Sequence, residues 1–311
     1  MNFELILPLL LAWLLDLWLG DPAWLPHPVV GFGKMIAWGE RHLNRGRHRR
    51  VKGAVMTILL DFIVFFCTWT VLHAISKSPF PYVNYPLSTI LIFFCLAGTT
   101  LIREVREVFR AVERSLEEGR RQVGRIVGRD TSELSAQEIR TAALETLAEN
   151  LSDGVIAPLF WLAVGGPAAM LTYKMVNTQD SMIGYRTERY RDFGCWAAHI
   201  DDIANYLPAR LTALLMLLAN GRRMSENARF VKKYARNHAS PNSGWPEAAL
   251  AAILDCRFGG PHYYFGQLFP KPYIGHNDRP LTKADMKTAV RVNRMAEILA
   301  ITLITLIYCL I

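Results

Sequence analysis

Two carboxylates and an amide stand together at the start of an apolar run in the stretch Leu147–Trp161, LAENLSDGVIAPLFW. If the stretch is helical, Glu149 and Asp153 lie four residues apart on one face, with Asn150 beside them. Carboxylates at the C-terminal end of a helix interact unfavourably with the helix dipole, so they favour a compensating cation, either Mg²⁺ or a basic side chain. The alternative is an ordinary helix end that Gly154 stops.

Oxygen ligands and cations lie close together in the stretch Tyr173–Gly194. Its polar residues include Lys174, Asn177, Thr178, Asp180, Ser181, Arg186, Arg189 and Arg191. Mg²⁺ is usually held by one or two carboxylates together with phosphate oxygens, and Arg binds phosphate or carboxylate through two hydrogen bonds. The composition therefore suits a magnesium–phosphate site, with a solvated charged loop as the alternative.

Two neighbouring carboxylates precede another apolar run in His199–Leu211. Asp201 and Asp202 lie four and three residues before Asn205, so the three polar side chains share part of a helical surface. Adjacent carboxylates beside a membrane need an ion or a basic partner. Arg210 is the candidate partner, and with it the cluster would be structural.

The residues Ser240–Gly244 form a turn, and the following Pro246 suits the first turn of a helix. Backbone N–H groups at such a helix start can bind an anion, and His238 and Ser240 could contribute to that site. An ordinary capped turn explains the same residues equally well.

A further polar group, Asp21, His27 and Lys34, lies among prolines and glycines near the N-terminus. Lys34 is expected in a glycine-rich turn, where it could contact a phosphate, whereas a lone His is more often structural. The sequence GFGKMI that contains Lys34 is neither a Walker A loop nor a dinucleotide-binding fingerprint.

The composition points to the elements that must position these residues. Hydrophobic residues make up 51% of the 311 residues and charged residues 20%, which fits a membrane protein with polar loops. Apolar segments long enough to span a bilayer are predicted at roughly 54–75, 86–102 and 296–311, and doubtful or re-entrant ones at 5–19, 155–173 and 203–219. The excess of 35 Lys and Arg over 27 Asp and Glu is interpreted as a topology signal, since no nucleic-acid-binding motif accompanies it.

Charge in the loops predicts the orientation of the chain. The basic stretch Arg41–Lys52 should be cytoplasmic and Ser76–Tyr85 external. A capping box at Ser135 and Glu138 starts a cytoplasmic helix that should close at Leu147–Asp153. The break Gly165-Gly166-Pro167 permits a re-entrant or protein-buried hairpin, which would keep the flanking polar stretches on the cytoplasmic side. The predicted fold is all-α: a polytopic integral membrane protein with re-entrant or buried helices and cytoplasmic helical loops, forming one intertwined domain over 1–311.

Five of these motifs, taken in order, resemble the CobD/CbiB family of cobalamin biosynthesis, the adenosylcobinamide-phosphate synthases. They are DLWLGDP with PHPV, ENLSDGVIAPLFW, NTQDSMIGYR, FGCWAAHIDDIANYLPARL and SPNSGWPEAA. The resemblance covers Asp16 to about Pro280 and is looser in the tail from Arg257 to Thr282.

The resemblance implies a carbon–nitrogen ligase of the cell membrane. It would join the propionate carboxylate of adenosylcobyric acid to (R)-1-amino-2-propanol O-phosphate, or a related amino alcohol, with ATP as co-substrate and Mg²⁺ as cofactor. Its partners would be these substrates, the lipid bilayer and other membrane-bound enzymes of the pathway, with no nucleic acid. Its active site would face the cytoplasm.

Roles for individual residues are hypotheses on the matching motifs. Metal ligands would be Glu149, Asp153, Asp180 and Asp201. Catalytic candidates are Asp202 and His238, either of which would take the amine proton, together with Asn150 and Asn177. Phosphate or substrate contacts would come from Lys174, Arg186, Arg210, His27 and Lys34, and from Ser240, Asn242 and Gly244 of the turn, which would hold the amino-alcohol phosphate.

Two alternatives belong to other functional classes. A non-catalytic membrane sensor of the same superfamily would lack the full polar set, which this sequence keeps. An ion-coupled transporter would use the intramembrane Asp16 and Asp61, but transporters usually show repeated halves and none is visible here.

Overall fold

The computed structural model describes residues 3–22, 24–264 and 266–310, and these residues are predominantly helical. The thirteen α-helices of the described residues are α1 Ile6–Leu19, α2 Pro28–Leu43, α3 Arg49–Ser76, α4 Asn84–Cys95, α5 Gly98–Arg114, α6 Leu116–Val123, α7 Ala136–Leu151, α8 Ala157–Ile183, α9 Cys195–Ala204, α10 Tyr206–Asn220, α11 Met224–Tyr234, α12 Gly244–Leu254 and α13 Lys283–Leu310. The predicted helical fold is confirmed.

Four short strands interrupt the helical pattern, and the sequence did not lead us to expect them. They are β1 Phe258–Gly259, β2 His262–Tyr264, β3 Gln267–Phe269 and β4 Tyr273–Ile274. They form two antiparallel pairs, β1 with β4 and β2 with β3. The strands occupy the tail in which the family resemblance is loosest.

Four helical segments of the described chain are long and apolar enough to cross a membrane: Arg49–Ser76, Pro81–Arg114, Ala136–Ile183 and Lys283–Leu310. The first, second and fourth contain the three predicted spans, the last of which ended at Ile311, outside the described residues. Helix α3 leaves large apolar side chains such as Phe62, Phe66 and Trp69 exposed. Such exposure is costly in water and normal in lipid, so this is the architecture of a polytopic membrane protein.

The chain divides into two compact units that alternate along the sequence. The first unit comprises Met1–Ala97, Ala157–Asn205 and Leu303–Ile311, and the second unit comprises Gly98–Ile156 and Tyr206–Thr302. The single intertwined domain over 1–311 stays a prediction.

In the first unit, the segment after α8 is fixed to the junction between α2 and α3. Arg189 donates two hydrogen bonds, at 3.0 and 2.9 Å, to the buried carboxylate of Glu40 at the end of α2. Arg49, the first residue of α3, donates to the Glu188 carbonyl oxygen at 3.1 Å. Gly53 has no room for a Cβ because the Phe193 carbonyl packs against it. The basic stretch Arg41–Lys52 and the segment 186–193 therefore lie at the same end of α3.

Helix α8 is broken at the predicted place. Gly165 (φ −147°, ψ 24°) and Gly166 (φ 68°, ψ −165°) leave the helical conformation, and the positive φ of Gly166 favours glycine. Trp161 Nε1 donates to the Ala204 carbonyl at 3.2 Å, and the Tyr173 hydroxyl donates to Asn205 Oδ1 at 2.8 Å. The segments before and after the break thus contact two adjacent residues, Ala204 and Asn205.

In the second unit, α7 begins and ends where the sequence predicts, and a π-helical turn follows it. The Ser135 hydroxyl accepts from the Glu138 N–H, and the Glu138 carboxylate accepts from the Ser135 N–H, which is a complete capping box. The α-helix ends at Leu151, within the predicted range Leu147–Asp153, but the chain stays helical beyond it. It passes through the π-helical turn Ser152–Ile156 directly into α8, because Gly154 is buried in the wider turn and does not end the helix.

Candidate active site

Two carboxylates in the first unit, Asp180 and Asp201, belong to the candidate site. Asp201, on α9, is 8% exposed. Its Oδ2 accepts a hydrogen bond of 3.0 Å from Asn205, while its Oδ1 is buried and makes no hydrogen bond. Burial, and then the negative charge of Asp180, raise the pKa of Asp201 to about 7, and the Asn177 amide lowers that pKa. The motifs around Asp180 and Asp201 are thus brought together.

The position of the Asp180 carboxylate depends on a glycine. A Cβ on Gly184 would overlap Asp180 Oδ1, and the Gly184 N–H donates to the Asp180 carbonyl oxygen at 2.7 Å. Gly184 follows the last residue of α8, so the chain turns away at the point where the carboxylate needs space. The motif NTQDSMIGYR therefore needs a glycine at this position, because a side chain would displace the Asp180 carboxylate.

Asp202, the next residue, is half-buried beside cations. Burial raises the pKa of Asp202, while the charges of His199 and Arg186 lower it. Arg186 is exposed after α8. Burial thus shifts the pKa of Asp202 in the direction that favours a proton acceptor, while the carboxylate stays accessible.

Lys174, on α8, lies near the N-terminal polar group. Burial, and then the charge of Asp16, raise the pKa of Asp21 to about 6, and Lys174 lowers it. Burial and the Lys174 charge lower the pKa of His27. The His27 ring accepts from the Val29 N–H at 3.2 Å, so His27 caps α2 and has the structural role that is the more common one.

The prediction that Lys34 sits in a glycine-rich turn was wrong. Lys34 is an exposed residue in the middle of α2, because Gly31 and Gly33 are accommodated within the helix. No loop forms around it, so the structure lends no geometric support to a phosphate contact there.

In the second unit, Glu149 is joined to the turn Ser240–Gly244. The Ser243 hydroxyl donates to Glu149 Oε1 at 2.8 Å. Asn150 is turned back onto its own helix, where its amide donates to the Thr146 carbonyl oxygen at 3.1 Å. Asp153 is half-buried in the π-helical turn. Glu149 therefore contacts a hydroxyl of another motif, an interaction that spacing along the sequence could not reveal.

The turn itself uses several of its own donors. Ser240 Oγ accepts from the N–H groups of Asn242 and Ser243, at 3.2 and 3.3 Å. Gly244 is buried against the Ala235 carbonyl, which leaves no room for a side chain. The predicted turn and helix start are confirmed, but part of the backbone expected to bind an anion is already hydrogen-bonded inside the turn.

His238 is held by the same turn. Its Nδ1 accepts from the Ser240 N–H at 3.0 Å, so the neutral ring carries its proton on Nε2. Nε2 lies 3.6 Å from Oε1 of the buried Glu247. Burial, followed by the charges of Glu145 and Glu149, raises the pKa of Glu247 well above its ordinary range. Burial lowers the pKa of His238. With Nδ1 occupied, His238 is poorly disposed to accept a further proton.

Arg210 contacts the turn Ser240–Gly244. Its guanidinium donates to Asn242 Oδ1 at 2.9 Å and to the Pro241 carbonyl oxygen at 3.3 Å. The same group lies over the rings of Tyr206 and Trp245. Arg210 thereby positions the turn through contacts of the protein with itself.

The second unit also contains a buried ionic cluster that was not predicted from the sequence. Arg129 Nη2 donates to Glu145 Oε2 at 2.6 Å, and Arg129 Nη1 lies 2.8 Å from His262 Nε2. Glu145 Oε1 accepts from the Gly259 N–H at 2.6 Å. Burial, and then the Arg129 charge, lower the pKa of His262 to about 4, so this ring is neutral at pH 7. Glu145 precedes Glu149 by one helical turn, and that spacing was the available signal.

The proposed metal ligands fall into two pairs. Asp180 and Asp201 belong to the first unit, and Glu149 and Asp153 belong to the second. Within the described parts of the chain, no group of three or more His, Cys, Asp and Glu side chains is arranged to hold a metal ion. Two carboxylates fit Mg²⁺ when substrate phosphates and water complete its coordination, and the buried Asp201 Oδ1 is an oxygen that a cation would satisfy.

Long apolar helices and clustered polar motifs define a polytopic membrane protein with a candidate active site. The model of the family described as CobD/Cbib protein matches residues 9–293, and the chain belongs to this family. The cobalamin biosynthesis protein CobD of Halalkalibacterium halodurans is 40% identical, covering 92% of this chain and 91% of its own. CobD of Klebsiella pneumoniae is 41% identical over 94% of both chains. The cobalamin biosynthesis protein CbiB of Salmonella choleraesuis is 40% identical over 98% of both chains. No solved structure matches the chain.

Proposed function

We propose that this protein is the ligase that joins adenosylcobyric acid to an amino-alcohol phosphate at the expense of ATP, forming adenosylcobinamide phosphate. Membership of a cobalamin biosynthesis family supports the pathway. The observation that carries the proposal is the pair Asp180 and Asp201, in which one buried carboxylate oxygen makes no hydrogen bond. Such a pair suits the cation that accompanies a transferred phosphoryl group.

The chemistry needs an activated carboxylate. A carboxylate does not react with an amine near neutral pH because oxide is a poor leaving group. Transfer of the terminal phosphoryl group of ATP to the corrin propionate gives an acyl phosphate and ADP. The neutral amine then forms a C–N bond at the acyl carbon, the C–O bond to phosphate breaks, and inorganic phosphate leaves.

Residues of this chain would support both steps. Asp180 and Asp201 would hold Mg²⁺, which when bound neutralises phosphate charge. Asp202 would take the proton of the substrate ammonium, a role that suits it better than His238, whose Nδ1 already accepts from Ser240. Lys174 and Arg186 would bind anionic oxygens. The turn Ser240–Gly244 would bind the amino-alcohol phosphate.

A further set of proposed roles concerns Glu149, Asp153, Asn150, Asn177 and Arg210. Glu149 and Arg210 would act on the turn they contact. Asn177 would act on Asp201, whose pKa it lowers. Asp153 as a metal ligand and Asn150 as a catalytic group rest on the family motif alone.

The proposed membrane orientation puts these groups in the cytoplasm. The segment 186–193 is bonded to the ends of α2 and α3 beside Arg41–Lys52, and dense positive charge favours the cytoplasmic side of a membrane. A cytoplasmic site would meet ATP and the large corrin directly. It would also allow transfer of the product to other membrane-bound enzymes of the pathway.

Purified protein in detergent, supplied with adenosylcobyric acid, (R)-1-amino-2-propanol O-phosphate and Mg·ATP, tests the proposal. The expected result is amide product with one ADP and one phosphate per product, detected by mass spectrometry and a phosphate assay. Omission of each substrate is the control. No ADP or phosphate release with both substrates present would overturn the ligase and favour a sensor or transporter.

A further inference from the structure

One buried hydrogen-bond chain in the first unit ends at the carboxylate that the proposed function assigns to the metal. The Tyr173 hydroxyl, on α8, donates to Asn205 Oδ1 at 2.8 Å. The Asn205 amide, after α9, donates to Asp201 Oδ2 at 3.0 Å. Tyr173 is 2% exposed and Asn205 is 1% exposed, so water competes for neither contact. This series of hydrogen bonds therefore fixes Oδ2 as the oxygen of Asp201 that bonds within the protein.

The other oxygen of the same carboxylate is left for a ligand. Asp201 Oδ1 is buried without a hydrogen-bond partner, beside the carboxylate of Asp180. A buried acceptor without a donor keeps its desolvation cost uncompensated, and that cost is larger when the acceptor is charged. Native proteins keep such a group where an ion or ligand satisfies it.

The residue types determine which ligand fits. The carboxylate oxygens of Asp180 and Asp201 are hard donors, which Mg²⁺ and Mn²⁺ prefer. Tyr173, Asn177 and Asp180 lie at positions i, i+4 and i+7 of α8, so they share the helical face that meets Asp201. Packing between α8 and α9 brings the two carboxylates together.

We propose that Tyr173 and Asn205 are positioning residues for a divalent-cation site: they hold Asp201 by Oδ2, so that Oδ1 and the Asp180 carboxylate bind the ion. The proposal rests on the metal role of Asp180 and Asp201 in the proposed function. Outer partners that orient metal ligands contribute about 10–100-fold to metal affinity. Tyr173 and Asn205 therefore act on cation binding without touching the ion.

Binding of Mn²⁺ to the detergent-solubilised protein without substrates tests this directly, by electron paramagnetic resonance of the free ion. Asn205→Ala and Tyr173→Phe should each weaken Mn²⁺ binding at least about 10-fold. Asp201→Asn should abolish it. Tyr82→Phe, on an exposed residue, and Asn220→Ala, at the end of α10, are matched controls that should bind as the unchanged protein does.

Folding of each variant is checked by its apparent melting temperature and elution volume. A folded Asn205→Ala protein with unchanged Mn²⁺ affinity would overturn the positioning role. Absence of Mn²⁺ binding to the unchanged protein at millimolar concentration would overturn the site itself. Mn²⁺ binding with the expected losses, in a protein that forms no amide, would retain the site and reject the ligase function.

Discussion

The Ser243 hydroxyl donates a 2.8 Å hydrogen bond to Glu149 Oε1 and so joins two motifs that lie 94 residues apart in the chain. Glu149 is near the end of α7, and Ser243 is the last residue before α12. The turn that contains Ser243 is also held by Arg210 and by His238. Three contacts thus fix the geometry of one short segment.

Replacing Ser243 by alanine should loosen this turn. The variant loses a charge-assisted hydrogen bond, worth about 1.5–3 kcal/mol when fully shielded and less here, where both groups are half-buried. We expect a melting temperature in detergent a few degrees lower, and a higher KM for the amino-alcohol phosphate with a smaller change in kcat. Ser225→Ala, on an exposed residue of α11, is the matched control. An unchanged KM would separate the turn from substrate binding.

Gly184→Ala should displace the Asp180 carboxylate. The added methyl group would overlap Asp180 Oδ1, and the Asp180 carbonyl oxygen lies only 2.7 Å from the Cβ position. We expect loss of Mn²⁺ binding and at least a 10-fold loss of ligase activity, in line with losses caused by misplaced ligands. Gly31→Ala on α2 meets open space and should be harmless. Wild-type Mn²⁺ affinity in Gly184→Ala would show that Asp180 is no ligand.

Arg129→Ala should destabilise the second unit strongly. The substitution leaves Glu145, with a side chain only 3% exposed, as a buried charge without its cation. Breaking a buried pair in this way costs about 3–5 kcal/mol. Chemical denaturation in detergent measures the loss. The double variant Arg129→Met with Glu145→Leu removes both charges and should recover much of the stability, and failure to recover would locate the effect in the contacts with His262 and Gly259.

Asp21 should make stability depend on pH. Its pKa is raised from 3.8 to about 6 by burial and then by Asp16, so between these values the folded protein keeps a proton that the unfolded chain has lost. Stability must therefore fall as pH rises from about 4 to about 6. In Asp21→Asn, the melting temperature should depend less on pH over this range. The exposed control Glu133→Gln should show the same pH dependence as the unchanged protein. An unaltered slope in Asp21→Asn would assign the effect to another group.

Local signals in the sequence predicted local structure well. The capping box at Ser135, the break at Gly165 and Gly166, and the turn before α12 each depend on residues within a few positions of one another. The predictions that failed concern whether a helix continues or ends at a glycine. Lys34 continues a helix despite its glycines, and Gly154 enters a π-helical turn instead of a helix end.

The ionic contacts of the candidate site were beyond sequence reasoning because they join distant residues. Arg129 and Glu145 are 16 residues apart, but His262 is 133 residues from Arg129. The position of Asp201 before an apolar run marked it in the sequence, but only the packing shows that Asn205, itself bonded to Tyr173, holds one of its oxygens. The four short strands depend on cross-strand pairing, for which runs of two or three residues give little signal.

Because the two units alternate along the chain, contacting helices of the first unit are synthesised at different times. Asp61 of α3 accepts a hydrogen bond from Gln179 of α8, which follows 118 residues later. At a translation rate of about 5–20 residues per second, α3 exists for about 6–24 s before that amide is made. During this interval the nascent helix carries an acidic side chain into the membrane without its eventual donor. The hydrogen bond between α3 and α8 therefore forms only after the second half of the first unit has been synthesised.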